Sequence, residues 1–315
     1  MKVCLITPAP PRSRKGNRVT ALRWARILRE LGHRVVIDQV YGGERCDCLV
    51  ALHARRTHAS MVRYRSQYPD RPLILALTGT DLYGDIRTDA DARESLELAS
   101  RLIVLQPMGL EELPERHRDK TRVIYQSVRK PPGTFRPRKG VFEVCVLGHL
   151  RPVKDPFRAA RAARLLPPTS TIQVVQVGGA LSEEMERQAR AEEASNPRYR
   201  WVGEVPRWKA LRILARSRLL ALTSKMEGGA NVVGEALVCS VPVVSSRIAG
   251  SVGILGEAYP GYFPVGDTEA LGELLERAER DAAFYETLRA WCDALKGLFE
   301  PAHERRSWER LLDEL

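Results

Sequence analysis

Residues 219–242 read LLALTSKMEGGANVVGEALVCSVP, and the order of features in this segment indicates an α/β fold. The apolar run Leu219–Thr223 is typical of a buried strand. Small residues follow the run and lead into a helical pattern, which Ser240 and Pro242 terminate. A strand that passes through a short loop into a helix is the repeating unit of a doubly wound parallel sheet.

Two carboxylates frame the loop of this segment, since Glu227 and Glu235 are separated by seven residues. A helix N-terminus with small residues has free N–H groups that can bind a phosphate or the hydroxyl groups of a sugar. We therefore expect Glu227 to accept hydrogen bonds from a sugar and Glu235, about one turn into the helix, to accept them from a ribose. The alternative is an ordinary crossover loop with a solvated glutamate and a helix-surface glutamate.

A second, cationic loop follows the apolar run Phe142–Leu147, where residues 148–156 read GHLRPVKDP. A basic loop between a strand and a helix is an arrangement that binds phosphate. Further along the chain, Val174–Val177 is a strand pattern ending in Gly178, and residues 200–203 read RWVG. The segment from the basic loop to the double glutamate therefore contains several strand ends that carry polar or small residues.

The order of these features resembles the nucleotide-sugar half of family 4 glycosyltransferases. The resemblance implies that a basic pair neutralises the donor diphosphate, without a metal ion or another cofactor, and that the Glu-x7-Glu loop holds the sugar and the ribose. By position Lys154 is the lysine of the basic pair, whereas His149 lies where the family usually has arginine. Arg151 is our candidate for the second positive charge. No clustered carboxylates of the Asp-x-Asp type suggest a metal site.

The resemblance thus implies a set of site residues in the second half of the chain. The expected catalytic residues are Lys154, Arg151 and Glu227. The expected donor-binding residues are His149, Gly178, Trp201, Val202, Gly203, Gly228, Gly229, Ala230, Asn231, Val232 and Glu235.

A closer resemblance, to the selenosugar synthases of selenoneine biosynthesis, rests on short stretches spread over the chain. They are TPAPP at 7–11, GNRVTALRWA at 16–25, ALHARR at 51–56, LTGTDLY at 77–83 and HLRPVKDP at 149–156. This resemblance implies that the enzyme transfers a sugar from a UDP-sugar, expected to be UDP-N-acetylglucosamine, to selenophosphate. The resemblance alone points to selenium, since composition and periodicity carry no such information.

Three loops in the first half of the chain carry the residues expected to bind the acceptor. Each loop follows a predicted strand, and the carboxyl ends of parallel strands gather at one edge of a sheet. The expected acceptor residues are Arg12, Arg14, Lys15, Gly16, Asn17, His53, Arg55, Thr78, Thr80 and Asp81.

The acceptor loops contain no evident general base, because Thr78 lies where many family members have a histidine. An alcohol acceptor needs help with deprotonation, whereas selenophosphate is already ionised and needs positive charge and positioning instead. The alternatives are that Asp81 only caps the following turn and that His53 is a satisfied loop histidine.

Alternating strand and helix patterns predict two Rossmann-like, doubly wound α/β domains, the arrangement called GT-B, with ligands in the cleft between them. The predicted strands of the first half are Val3–Thr7, Val35–Val40, Cys48–Leu52, Leu73–Leu77, Arg101–Leu105 and Val123–Tyr125. A Pro/Gly/basic cluster predicts a linker at 131–140, between an acceptor-binding domain at 1–130 and a nucleotide-sugar-binding domain at 141–298. Residues 299–315 contain a helical pattern that is expected to cross back to the first domain.

The formal charge of +11 on 315 residues favours an anionic partner. Nucleic acid fits poorly, because no aromatic residues interleave with the basic loop and no nucleic-acid-binding motif is present. The amphipathic pattern Asn17–Leu31 suits either a membrane surface or a helix packed on a sheet, and we favour the second interpretation. A lipid-accepting transferase and a non-catalytic binding module remain the other function classes.

The sequence also predicts a reduced, cytoplasmic protein. No apolar run approaches the length of a membrane span, and the first apolar run is too short for a signal peptide. The six cysteines lack the spacing of a zinc site, and we expect Cys4 and Cys145 to be core thiols.

Overall fold

The computed structural model describes residues 1–13 and 16–315, which divide into two compact units. The first unit comprises Met1–Gln126 and Pro301–Leu315, and the second comprises Ser127–Glu300. The segment 131–140, predicted as a linker, lies within the second unit, and most of the C-terminal segment predicted to cross back lies within the first.

A parallel sheet with the strand order β2-β1-β3-β4-β5-β6 forms the centre of the first unit, as far as the described residues extend. Its strands are β1 (Lys2–Ile6), β2 (Arg34–Asp38), β3 (Cys48–Leu52), β4 (Leu73–Ala76), β5 (Arg101–Val104) and β6 (Thr121–Val123). Its helices are α1 (Gly16–Glu30), α2 (His58–Gln67), α3 (Ile86–Thr88), α4 (Ala90–Leu98), α5 (Glu115–Arg118) and, from the chain end, α13 (Pro301–Asp313). The inner strands are buried on both faces, which explains their continuous apolar runs.

The second unit repeats this plan with the strand order β12-β11-β10-β7-β8-β9, again counted over the described chain. Its strands are β7 (Phe142–Leu147), β8 (Ile172–Val177), β9 (Tyr199–Trp201), β10 (Leu219–Leu222), β11 (Val243–Ser246) and β12 (Tyr262–Phe263). Its helices are α6 (Arg158–Arg164), α7 (Glu183–Ser195), α8 (Arg207–Arg216), α9 (Asn231–Val238), α10 (Ala249–Leu255), α11 (Thr268–Arg280) and α12 (Ala282–Ala294). The doubly wound parallel sheets predicted from the sequence are therefore confirmed.

The strand orders place a topological switch point in each sheet. The chain winds in opposite directions from β1 and β3 in the first unit, and from β7 and β10 in the second. Ligands of doubly wound sheets bind outside the carboxyl ends of the strands at such a point. The topology therefore draws attention to the loops after β1 and β3 and to the loops after β7 and β10.

The helix α1 is packed on the sheet of the first unit, in agreement with the interpretation favoured from its amphipathic pattern. Its Trp24 ring meets the Trp308 ring of α13 edge to face, with the ring centroids 5.0 Å apart. Buried Glu304 accepts hydrogen bonds from Trp24 Nε1 at 2.7 Å and from Arg23 Nε at 3.1 Å. The apolar face of α1 is thus covered by the sheet and by α13.

Two further features bear on the sequence predictions. All six cysteines are buried, free thiols. None of the helices in the described part of the chain combines the length and the apolar character that crossing a membrane requires.

Candidate functional site

Hydrogen bonds join the loops after β7 and β10 side by side at the switch point of the second sheet. Lys225 N donates to Val153 O at 2.8 Å. Thr223 Oγ1 lies within hydrogen-bonding distance of two carbonyl oxygens, those of Lys154 at 3.0 Å and Asp155 at 2.9 Å. The basic loop and the glutamate loop, which are far apart in the sequence, therefore form one structural element.

This element brings together two of the three expected catalytic residues. Lys154 Nζ forms an ion pair with Glu227 Oε1, and Ser224 Oγ donates to the same oxygen at 2.7 Å. The exposed fractions of the two side chains are 22% for Lys154 and 12% for Glu227. Partial burial strengthens a charge-assisted contact of this kind, so each charged group holds the other in a defined position.

The expected phosphate-binding helix is α9, which begins after the small-residue loop. Its N-cap residue Ala230 is in the left-handed region, with φ 31° and ψ 57°, and among the described residues no side chain caps this end. The first N–H groups of the helix, at Asn231 and Val232, are therefore oriented for an external acceptor. The helix ends at Val238, slightly before the predicted stop, and Ser240 follows with φ 60°.

The second glutamate of the motif has a cationic partner that the sequence did not suggest. Glu235 is buried on α9, and its Oε1 accepts a hydrogen bond from Arg207 Nη2 at 2.7 Å. Arg207 is the first residue of α8 and is half exposed. A pair of this geometry fixes the carboxylate while leaving part of the guanidinium in solvent.

The ends of β7, β8 and β9 approach each other through three glycines. Gly178 has φ 150°, and a Cβ atom at this position would overlap with Gly148 O. Gly178 N donates to Gly203 O at 2.9 Å, and Trp201 Nε1 donates to Gly178 O at 2.8 Å. In the described structure the Trp201 indole N–H is therefore used to hold the backbone of the neighbouring strand end.

The third expected catalytic residue, Arg151, and two expected donor-binding residues lie at the margins of this element. His149 is half-buried, and among the described residues its Nδ1 is buried without a hydrogen-bond partner. Arg151 is exposed at the start of the turn Pro152–Lys154. Val202 N donates to Gln176 O at 2.9 Å and continues the pairing of β9 with β8.

Asp81 is the central residue of the expected acceptor loops in the first unit, and it is fully buried. Its Oδ1 accepts hydrogen bonds from Thr78 N and Gly79 N, each at 2.9 Å, and its Oδ2 accepts one from Ala54 N at 3.0 Å. The carboxylate thus ties the loop after β3 to the loop after β4. Asp81 therefore holds the backbone of its own and a neighbouring loop, but it does not cap the turn that follows it, because the N–H groups that it binds belong to earlier residues.

His53 follows β3 and has φ 85°, a conformation that is strained for a residue with a side chain. Its Nε2 lies 3.1 Å from Thr80 Oγ1 and 3.8 Å from Asp85 Oδ2. Arg55 Nε lies 3.3 Å from the same Asp85 oxygen. Burial lowers the pKa of His53, so its imidazole is biased towards the neutral form.

A π-helical turn, Asp81–Asp85, carries two of these carboxylates. Such turns are rare and occur frequently at functional sites. The structure therefore places His53 and Arg55 beside Asp85, with Thr80 against His53. Asp85 could not be predicted from the sequence, because nothing in its immediate sequence marks it.

The remaining acceptor predictions fall on the loop after β1. Arg12 is exposed and has φ 68°, Gly16 begins α1, and Asn17 lies in its first turn. Arg14 and Lys15 lie outside the described residues. Across residues 1–13 and 16–315, His, Cys, Asp and Glu side chains form no group of three or more that could hold a metal ion.

Most of the second unit matches a known protein family. Residues 132–292 match the model of the family described as glycosyl transferases group 1, and this match covers slightly more than half of the chain. The chain belongs to this family. No curated protein matches the sequence at a significant level.

Solved structures with the same fold cover the whole of this glycosyltransferase chain. Alr3699/HepE from Anabaena, in complex with UDP and glucose, is 17% identical with a TM-score of 0.77, and the match covers 100% of both chains. Sucrose-phosphate synthase (tll1590) from Thermosynechococcus elongatus is 15% identical with a TM-score of 0.78, over 99% of this chain and 98% of that one. At such identities the likeness concerns the fold, and it confirms the GT-B class predicted from the sequence.

We predict that Gly250→Ala destabilises the second unit of this glycosyltransferase by about 1–3 kcal/mol, a typical cost of overpacking. Gly250 lies on α10, and a Cβ atom there would overlap with the carbonyl oxygen of Glu227. The matched control is Gly272→Ala on α11, where the nearest atom would be 3.6 Å from the new Cβ. Because alanine is the better helix former, we expect the control to be neutral or stabilising by up to about 1 kcal/mol.

Urea unfolding of both variants and of the wild type, followed by circular dichroism, measures the difference. Equal unfolding midpoints for the two variants would show that α10 can move away from Glu227 without cost, and the proposed tight contact would be wrong.

Proposed function

We propose that the second unit binds a UDP-sugar and that the protein transfers the sugar to selenophosphate. The observation that carries the donor half of this proposal is the Lys154–Glu227 pair, which lies in the element formed by the loops after β7 and β10. Two structures of the HepE neighbour support the donor class, since one is in complex with UDP and another with UDP-glucose. The closer resemblance to selenosugar synthases supports the acceptor.

In the proposed complex the donor diphosphate lies against Lys154, Arg151 and the N–H groups at the start of α9. These groups stabilise the negative charge that develops on UDP as the anomeric C–O bond breaks. Preorganised side-chain cations and backbone dipoles then supply the stabilisation that other transferases obtain from a metal ion.

The two glutamates hold the two ends of the donor in this proposal. Glu227 orients the sugar through its hydroxyl groups, and Glu235 accepts hydrogen bonds from the ribose. Arg207 keeps the Glu235 carboxylate in one rotamer, because its Nη2 donates to Oε1 at 2.7 Å. Backbone groups at 201–203 border the base.

The acceptor step needs positive charge and orientation more than a base. Selenium attacks the anomeric carbon with its own electron pair, a C–Se bond forms, and the C–O bond to UDP breaks with its electron pair leaving on UDP. Arg12 and Arg55 carry guanidiniums suited to the phosphate oxygens of selenophosphate.

A second candidate is a transferase that acts on an alcohol or a lipid, and His53 is the observation that favours it. A buried, neutral histidine beside Asp85 is a plausible proton acceptor for a hydroxyl group. The two candidates differ in the acceptor that they require, so an acceptor assay separates them.

We predict that Lys154→Ala lowers kcat by about 10²–10³, the loss expected when one preorganised stabilising group is removed. Arg161→Ala, an exposed position on the helix that follows the basic loop, is the control and should keep the wild-type rate. Steady-state assays of UDP release, together with thermal unfolding of each variant, test the assignment. A folded Lys154→Ala variant with wild-type turnover would exclude a role for Lys154 on the diphosphate.

We predict that UDP binding separates the two glutamates. Glu235→Ala should weaken UDP about 10- to 100-fold, because a charge-assisted hydrogen bond is worth about 1.5–3 kcal/mol. Glu227→Ala should leave UDP affinity within about threefold, since UDP lacks the transferred sugar that Glu227 orients in this proposal. Isothermal titration calorimetry measures both, with Glu186→Ala on the exposed face of α7 as the control. The opposite ranking would mean that the two roles are exchanged.

We predict that the purified protein consumes a UDP-sugar and releases UDP when selenophosphate is supplied. Mass spectrometry should detect a sugar that carries selenium, while simple alcohols and lipid acceptors should give little product. EDTA should leave the rate unchanged, because cationic side chains and N–H groups stabilise the leaving UDP. If selenophosphate is inert and an alcohol or lipid is glycosylated, the selenosugar proposal is wrong and the transferase assignment alone remains.

A further inference from the structure

A groove of about 690 Å³ on the second unit is lined mostly by residues that have no part in the proposed transfer reaction, with Val202 at its border with the donor-binding segment. It runs between the outer face of α8 and the segment that precedes β7. The side chains that matter here are Phe135, Arg200, Trp208, Lys209, Arg212 and Arg216, all of which line it. None of these six side chains belongs to the basic loop or to the Glu-x7-Glu loop, so the proposed transfer reaction does not account for them.

Positive charge dominates the groove, because four of its lining side chains are cations and none is an acid. The positive charge of Arg216 is balanced by a carboxylate, since its Nε lies 3.5 Å from Glu143 Oε1. For Arg200, Lys209 and Arg212, the described part of the chain provides no acidic group within ion-pair distance. Uncompensated cations that converge on one concave surface attract an anionic ligand.

An aromatic side chain accompanies these charges. Trp208 is 60% exposed, which is unusual for so large an apolar group. The Arg212 guanidinium carbon lies 5.2 Å from the centre of its ring, within cation–π range. Exposed tryptophan and arginine in contact are the residue types that contribute most to protein–protein binding energy.

We propose that this groove binds an extended acidic peptide segment of a partner protein. Trp208 and Arg216 are two helical turns apart on α8, a distance of about 12 Å at ~1.5 Å per residue. An extended chain covers that distance with about four residues at ~3.3 Å each. Alternating side chains of such a segment point to one side, so glutamate or aspartate can face the cations while an apolar side chain packs on Trp208.

The segment before β7 adds further positive charge next to the groove. Arg136, Arg138 and Lys139 follow Phe135 closely in the sequence, and all three are exposed. A longer acidic segment would therefore meet further cations beyond the groove itself. Charge complementarity of this kind raises association rates and gives a strong dependence on salt.

The same observations disfavour two other anionic partners. A membrane surface requires a helix with a continuous exposed apolar face, whereas the larger aliphatic residues of α8 are buried, Trp208 is its one exposed apolar side chain and the groove is concave. Single-stranded nucleic acid requires a succession of stacking platforms, whereas this groove offers two rings, Phe135 and Trp208, and Arg212 already lies against the second. An acidic peptide needs only one aromatic contact and a row of cations.

Fluorescence anisotropy with a labelled octapeptide of sequence EEELFEEE tests the proposal on the full chain. We expect Arg212→Glu and Trp208→Ala each to raise the Kd at least tenfold. Arg187→Glu makes the same charge change on the exposed face of α7 and should change the Kd less than twofold. The peptide KKKLFKKK should not bind, and raising the salt concentration should weaken the acidic peptide.

Each other outcome overturns the proposal. If Arg212→Glu and Arg187→Glu weaken the peptide equally, binding reflects net charge and the groove plays no part. If poly(U) or phosphatidylserine vesicles bind more tightly than the peptide and lose binding in Arg212→Glu, the groove serves nucleic acid or a membrane. The substituted side chains are exposed, so the variants should unfold at the wild-type temperature. Such a result excludes loss of structure as the cause of weaker binding. The test does not depend on the acceptor or donor of the transfer reaction.

Discussion

The ion pair between Lys154 and Glu227 closes a contact between two loops that are far apart in the chain, and the rest of the candidate site is arranged around it. Main-chain and threonine hydrogen bonds bring the loops together, and the charged pair then fixes the carboxylate and the ammonium. A third strand end takes part as well, because Ser246 Oγ donates to Ser224 O at 2.6 Å. Gly250 packs directly on Glu227, so the position of one carboxylate depends on the ends of β7, β10 and β11.

The sequence predicted the fold and the two loops because both leave local signals. The inner strands are buried on both faces and appear as apolar runs, and the small residues before α9 mark a tight loop. The contacts that orient the site are non-local and leave no such signal. Arg207 meets Glu235 across 28 positions of sequence, and nothing around either residue specifies the other. Gly250 was missed for the same reason, since its small size matters only once Glu227 lies against it.

In the acceptor loops, strand order determines where each loop lies but not where its side chains point. Strand order placed the loops after β1, β3 and β4 correctly at carboxyl ends, because parallel strands leave no choice. The direction in which each side chain points depends on the backbone of its own turn. The π-helical turn directs Asp81 into the protein, where it binds three backbone N–H groups, and it leaves Asp85 beside His53 and Arg55. Asp85, four residues further on, and not Asp81, is therefore the carboxylate that lies beside these two side chains.

Each glutamate of the motif is paired with a cation, Glu227 with Lys154 and Glu235 with Arg207. Under the proposed function, these pairs determine the order in which the parts of the donor are bound. A diphosphate carries more charge than one carboxylate, so it competes favourably for Lys154 when both are within reach. Glu227 then loses its cation and keeps the Ser224 hydroxyl as a donor, which leaves its other lone pairs for the hydroxyl groups of the sugar. Glu235 differs, because Arg207 is half exposed and does not meet the diphosphate in this scheme. Sugar recognition by Glu227 therefore depends on prior placement of the diphosphate, whereas ribose recognition by Glu235 does not. A site built in this way discriminates against free sugars, which cannot displace Lys154 from Glu227.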